Sequence, residues 1–131
     1  MNNARDFAQR LLEKARGDAL ILMRLVDDAT VPIWGLGFHA QQAVEKAIKA
    51  VLTFNVVEYP RTHNLAVLVA LLREHNLSIP PEPNELACLT PFGAVLRYDD
   101  TVPDSDVVLA PEWARDTVQQ VIVWAEGVLA G

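Results

Sequence analysis

Between Phe38 and Ala50 the chain places alanine at positions 40, 43, 47 and 50, a recurrence of three or four residues. That is the period of an α-helix, and side chains this small let a neighbouring helix approach closely. Phe38, Gln41, Glu45, Ile48 and Leu52 form an adjoining stripe, and His39, Gln42, Lys46 and Lys49 form a third. Two glutamines and a glutamate beside a small-residue face point to buried or half-buried polar contacts. The segment from Phe38 to Leu52 is therefore both the helix around which the chain must pack and the expected functional centre.

The rest of the chain reads as helices around it. From Asn3 to about Asp28, Phe7, Leu11, Ala15, Ala19, Leu22 and Val26 recur at helical spacing. The run from Ala19 to Val26 is apolar almost all round, so one side needs a cover beyond the core, for which a partner subunit is the expectation. Asp27-Asp28-Ala29-Thr30 with Pro32 marks a turn and a fresh start, and the second helix runs to about Phe54. Thr62 is the expected N-cap of a third helix from His63 to His75, which Asn76 ends in the left-handed conformation. Pro80, Pro81 and Pro83 make a loop of residues 76–83. A fourth helix is expected from about Asn84 to Tyr98, kinked or split by Pro91. After a loop from Asp99 to Ala110, Pro111 opens a fifth, with Ala114, Val118, Val121, Ala125 and Val128 inward. No segment sustains the period-two alternation of a strand. The expectation is an all-α chain, an antiparallel four- to five-helix up-and-down bundle in a single domain over residues 1–131.

Composition excludes some functions. The chain has 11 basic and 17 acidic residues, whereas a protein that grips long nucleic acid neutralises many phosphates with cations. Extended DNA binding is not expected. The start of the chain carries no signal-peptide core, and the longest apolar run, Leu65 to Leu72, is far too short to span a bilayer, so the expected location is the cytoplasm, away from the membrane. The lone Cys88 cannot form an intramolecular disulfide and is read as a small core residue. Trp34, Trp113 and Trp124 are read as packing anchors. His39 and His63 are read first as structural, and His75 as a favourable charge near a helix C-terminus. The spacing of these histidines shows no metal site, and no cofactor is expected.

Three separated elements carry a resemblance. Phe38-His39-Ala40-Gln41-Gln42-Ala43-Val44-Glu45-Lys46-Ala47-Ile48-Lys49-Ala50, then Thr62-His63-Asn64-Leu65, then Arg97-Tyr98 occur in order. Together they resemble the HEPN domain family, helical domains of higher eukaryotes and prokaryotes associated with nucleotide binding. The resemblance implies a four- to five-helix bundle that pairs as a homodimer, with a cleft near the interface. It also implies one of several roles: partner of a minimal nucleotidyltransferase in a toxin–antitoxin pair, binder of a nucleotide, or metal-independent ribonuclease.

The ribonuclease branch of the family follows an arginine at the end of its fourth helix with a histidine after four to six intervening residues. There the arginine stabilises phosphate charge and the histidine moves a proton. Here Arg97 is followed by Val102, Pro103 and Asp104 in the positions where the histidine belongs, and no histidine occurs after His75. None of the three replaces an imidazole near neutral pH. The expectation is a non-catalytic or weakly catalytic module that binds a nucleotide or a minimal nucleotidyltransferase. The alternative is a toxin ribonuclease using Arg97 with His39 or His63 as the proton shuttle. Candidate cleft residues are Gln42, Glu45, Lys46, Lys49, His63, Arg97 and Tyr98, with Arg97 the catalytic group only on the alternative. Lys46, Lys49, Arg61 and Arg97 are the cations nominated for a phosphate. Glu45 and Lys46 are read either as interface structure or as ligand contacts.

Overall fold

The computed structural model describes residues 3–93 and 108–131. Among them the chain forms α1 (Asn3–Leu25), α2 (Ile33–Phe54), α3 (Leu65–Glu74), a 3-10 helix (Leu86–Phe92) and α4 (Pro111–Ala130), with no strand. Residues 94–107, and with them Arg97, Tyr98, the end of the expected fourth helix and most of the expected acidic loop, lie outside the described residues.

α2 is the central element, and it packs against α1, α3, α4 and the 3-10 helix. Its four alanines, with Val44, Ile48, Val51 and Leu52, are buried at 0% exposure, so neighbours close on it from several sides. The Asp28 carboxylate accepts from the Thr30 backbone N–H at 2.9 Å and builds the turn that separates α1 from α2. Pro32 takes the N-cap rather than the first helical position, with extended φ and ψ.

Contacts fix the helix directions. The Arg5 guanidinium lies over the Phe54 ring while Asp18 meets His39, so α1 and α2 run antiparallel. Arg16 pairs with Glu126, and Gln119 donates to Met23, so α4 also runs antiparallel to α1. That is the sense expected for the fourth pass of an up-and-down bundle. On the outside, the Trp124 indole N–H donates to Ser78 Oγ at 2.9 Å and ties the 76–83 loop to α4.

The inward face of α1 differs from the expected stripe. Ala8, Leu12, Ala15, Asp18 and Leu22 are buried, whereas Phe7 is 45% exposed and Leu11 only half-buried. With apolar residues at 7, 8, 11 and 12, two stripes one residue apart satisfy the same periodicity. Contact with α2 selects the one with the small Ala8. Leu20 and Ile21 remain exposed, so the apolar surplus of this half-helix does face outward. In α4, Leu129 is buried where Val128 was expected, and Val128 is half-buried.

The N-cap of α3 is Asn64, not Thr62, and its side chain accepts from Ala66 N and Val67 N. Thr62 instead accepts from Asn64 N at 3.0 Å and supports the cap. At the other end Asn76 has φ 54, and Leu77 N donates to Leu72 O while Asn76 N donates to Arg73 O, a Schellman ending. α2 ends in the same pattern, with Val57 N on Leu52 O and Val56 N on Thr53 O, but Val56 holds the left-handed position at φ 58.

The expected fourth helix begins instead as the 3-10 helix containing Pro91. A period of three places Leu86, Leu89 and Phe92 inward and turns Cys88 to the surface. Cys88 is therefore not a core residue. The Phe92 ring approaches α2 closely because Gly37 leaves room there: a Cβ on Gly37 would stand 2.2 Å from Phe92 Cδ1.

Candidate functional site

The polar residues of α2 separate into two clusters on two sides of the helix, because neighbours in sequence sit about 100° apart around its axis. Gln41, Glu45 and Lys49 form a row at i, i+4 and i+8, facing α3 and the 3-10 helix, so Lys49 does not share a stripe with His39 and Lys46 as expected. His39 and Lys46 face α1.

The first cluster is organised by Glu45, which is 4% exposed. Its Oε1 accepts from Gln41 Nε2 at 2.8 Å and lies 2.8 Å from His63 Nδ1, and its Oε2 accepts from Lys49 Nζ at 2.9 Å. Burial alone would push the Glu45 carboxyl up. The hydrogen bonds from Gln41, Lys49 and His63, with the Lys49 charge, outweigh it and hold the carboxyl below its ordinary value. Gln41 is fully buried, and its amide also donates to the His63 backbone carbonyl at 3.1 Å. Gln42 donates to Gln41 Oε1 at 2.7 Å. His63 is thus tied to α2 twice, once through its ring and once through its backbone.

Backbone positions complete this cluster. Gly93 follows the 3-10 helix, and a Cβ there would approach Gln41 Cδ to 2.8 Å, so only glycine lets the chain pass over the amide without a shift. Thr90 Oγ1 accepts from Leu65 N at 3.2 Å, satisfying a first-turn N–H of α3 that has no partner within its own helix. Lys49 Nζ also lies 5.5 Å from the Tyr59 ring centroid.

The second cluster lies on the α1–α2 seam. Asp18, 8% exposed, meets His39 Nδ1 at 3.0 Å with one carboxylate oxygen and accepts from Lys46 Nζ at 2.6 Å with the other. The His39 ring stands edge-on to Phe38, with centroids 5.2 Å apart. This cluster reads as an interhelical clamp, and it gives His39 the packing role expected of it.

The structure therefore brings Gln42, Glu45, Lys49 and His63 together and sets Lys46 apart. Glu45 and Lys46 do not form a pair with one another. Neither lysine is an uncommitted cation for a phosphate, since Lys46 is held by Asp18 and Lys49 by Glu45. Arg97 and Tyr98 lie outside the described residues, and Arg61 is exposed in the loop before α3. Four participants were not nominated from sequence as cleft residues: Asp18, Gln41, Thr90 and Gly93. Asp18 did leave a signal, being a carboxylate three residues from Ala15 and four from Leu22, on the stripe that faces inward. Thr90 and Gly93 left none.

Among the described residues every buried side-chain nitrogen or oxygen has a hydrogen-bond partner, and no group of three His, Cys, Asp or Glu side chains could hold a metal ion. Among the same residues no helix is long and apolar enough to cross a membrane.

Compared with known protein families, the chain matches the HEPN domain over residues 8–130. No curated protein and no solved structure matched significantly. The family match reaches into every described helix and includes both polar clusters, and the chain belongs to the HEPN domain family.

Proposed function

We propose that this protein is a HEPN module that works by association rather than by cleaving RNA. It pairs as a homodimer in the cytoplasm and binds a nucleotide, or a minimal nucleotidyltransferase partner, in a toxin–antitoxin-like system. The observation that carries this reading is the missing downstream histidine: Arg97 is followed by no histidine at all. The two histidines of the clusters are already engaged by buried carboxylates, His39 by Asp18 and His63 by Glu45. The outward-facing Leu20 and Ile21 of α1 and the acidic balance of the chain agree with association through a protein surface rather than along nucleic acid.

The test is direct. Calorimetric titration with nucleoside triphosphates, and co-purification with a nucleotidyltransferase encoded beside this chain, should each be attempted on the full protein. Affinity for either supports the reading, and affinity for neither sinks it. Light scattering on the same preparation reads the dimer.

One observation favours the ribonuclease alternative. The His63 side chain is 57% exposed while a buried carboxylate holds its ring, an arrangement suited to proton transfer. RNA cleavage by the purified protein that disappears in Arg97→Ala would replace association with catalysis.

A further inference from the structure

Glu45 receives donors on both oxygens. The amide N–H of Gln41 reaches Oε1 and the ammonium of Lys49 reaches Oε2, and neither donor can act as an acceptor there. The carboxylate is consequently the acceptor toward His63 as well, and the hydrogen on the 2.8 Å contact belongs to His63 Nδ1. A neutral imidazole carries one proton, so placing it on Nδ1 leaves the Nε2 lone pair as an acceptor. Among the described residues nothing bonds Nε2, and the side chain is 57% exposed, so the lone pair faces outward from a ring that is fixed at its base. The second tie, from Gln41 to the His63 carbonyl, holds the backbone beneath the ring.

His39 is different. Its carboxylate partner is shared with Lys46, its ring is 25% exposed, and Phe38 packs against it. Of the two engaged histidines His63 is the more open to a ligand, at 57% exposure against 25%.

We propose that Glu45 fixes His63 as the Nδ1–H tautomer so that Nε2 accepts a hydrogen bond from a hydroxyl of the bound ligand. On the nucleotide reading above, on which this rests, that hydroxyl is on the ribose. Gln41 and Lys49 are positioning residues: they act on the ligand only through Glu45. A ligand contact built this way favours a hydroxyl-bearing ligand by about the worth of one oriented hydrogen bond.

The experiment has two arms on the full-length protein. In mildly alkaline buffer, nitrogen-15 NMR of the imidazoles reads the tautomer of His63, assigned by its loss in His63→Ala. The wild type should show the proton on Nδ1, and Glu45→Ala, which removes the acceptor, should mix the tautomers. Calorimetry then compares ATP with 2′,3′-dideoxy-ATP. The wild type should prefer ATP by roughly tenfold, the worth of one good hydrogen bond. His63→Ala, checked for an unchanged helical circular dichroism spectrum, should bind both equally. A proton on Nε2 in the wild type overturns the proposal, as does an ATP preference that survives in His63→Ala. If neither triphosphate binds while Nδ1 carries the proton, the nucleotide reading and the ribose contact fall together and the tautomer assignment stands.

Discussion

Replacing Glu45 tests whether the first cluster holds the fold through a buried charge. Removing one member of a buried ion pair costs about 3–5 kcal/mol when the partner is left stranded. Here the partners differ in how far they are stranded. The Lys49 side chain is 15% exposed and His63 is 57% exposed, so each can turn toward water once the carboxylate is gone. Gln41 cannot, being fully buried, although it keeps the His63 carbonyl. An amide N–H that loses its acceptor in the interior costs about 1–3 kcal/mol. Glu45→Ala should therefore destabilise the chain by roughly 2–3 kcal/mol, below the full stranded-pair figure.

Glu45→Gln should cost less, about 1 kcal/mol, because the new oxygen can keep Gln41 and His63 while the new amide nitrogen displaces only Lys49, which can reach water. Urea unfolding followed by circular dichroism reads both values from the midpoint at constant slope. The pH dependence has a definite sign. A carboxyl whose folded pKa lies below its ordinary 4.5 stabilises fully above that value, and the contribution fades as pH falls through the folded pKa. The wild-type advantage over Glu45→Gln should thus be flat near neutrality and close in acid. A Glu45→Ala protein within about 0.5 kcal/mol of wild type, or Glu45→Gln costing more than Glu45→Ala, would refute this account of the cluster.

Three further outcomes follow from single positions. Gly37→Ala should lower stability by about 1–2 kcal/mol despite the better helix propensity of alanine, because its Cβ would meet the Phe92 ring at 2.2 Å; thermal unfolding of this variant beside Gly17→Ala, where no atom lies within 4 Å and the change should stabilise, separates the two effects. Val56→Gly should stabilise by about 1 kcal/mol, since a β-branched residue at φ 58 with its side chain 79% exposed loses little packing and gains an unstrained left-handed cap; a fall in the melting temperature would contradict it. Cys88 should be alkylated completely in the native protein because it is exposed, but more slowly at neutral pH than a free thiol in solution. Burial of part of the residue and the nearby Glu85 charge raise its pKa and reduce the thiolate, which timed mass spectrometry would read.

What the sequence disclosed and what it hid have identifiable causes. The limits of α2, the left-handed Asn76 and the start at Pro111 were legible because turn chemistry and proline act locally. The buried face of α1 was not, since Phe7 and Ala8 each begin a valid helical stripe and only the neighbouring helix selects between them. Cys88 looks like core from its place in the apolar run Leu86 to Leu89, but the 3-10 winding around Pro91 decides which residues of that run point inward. At the site, Gln41 and Glu45 share a stripe in the sequence, but Lys49 reads there with His39 and Lys46, and only its bond to Glu45 places it on the other side. Closure of the row by His63 could not be fixed from spacing, because it depends on where the loop before α3 returns. Asp18 pulls Lys46 to the opposite side, a contact across a helix pair that no linear pattern contains.

The central placement of α2 has a consequence for how the molecule opens. α1 and α4 both rest on α2 and also on each other, whereas α3 and the 3-10 helix rest on α2 and on one another. The second pair can therefore detach as one unit without separating the first, so backbone amides of α3 should exchange with solvent deuterons earlier than those buried in the α1–α2–α4 trio. His63 is one knot between the two units, tied by its ring and its carbonyl to α2, beside the bond from Trp124 to Ser78. Anything that strengthens that knot, a ligand on the imidazole included, should slow exchange throughout α3 while leaving the trio unchanged.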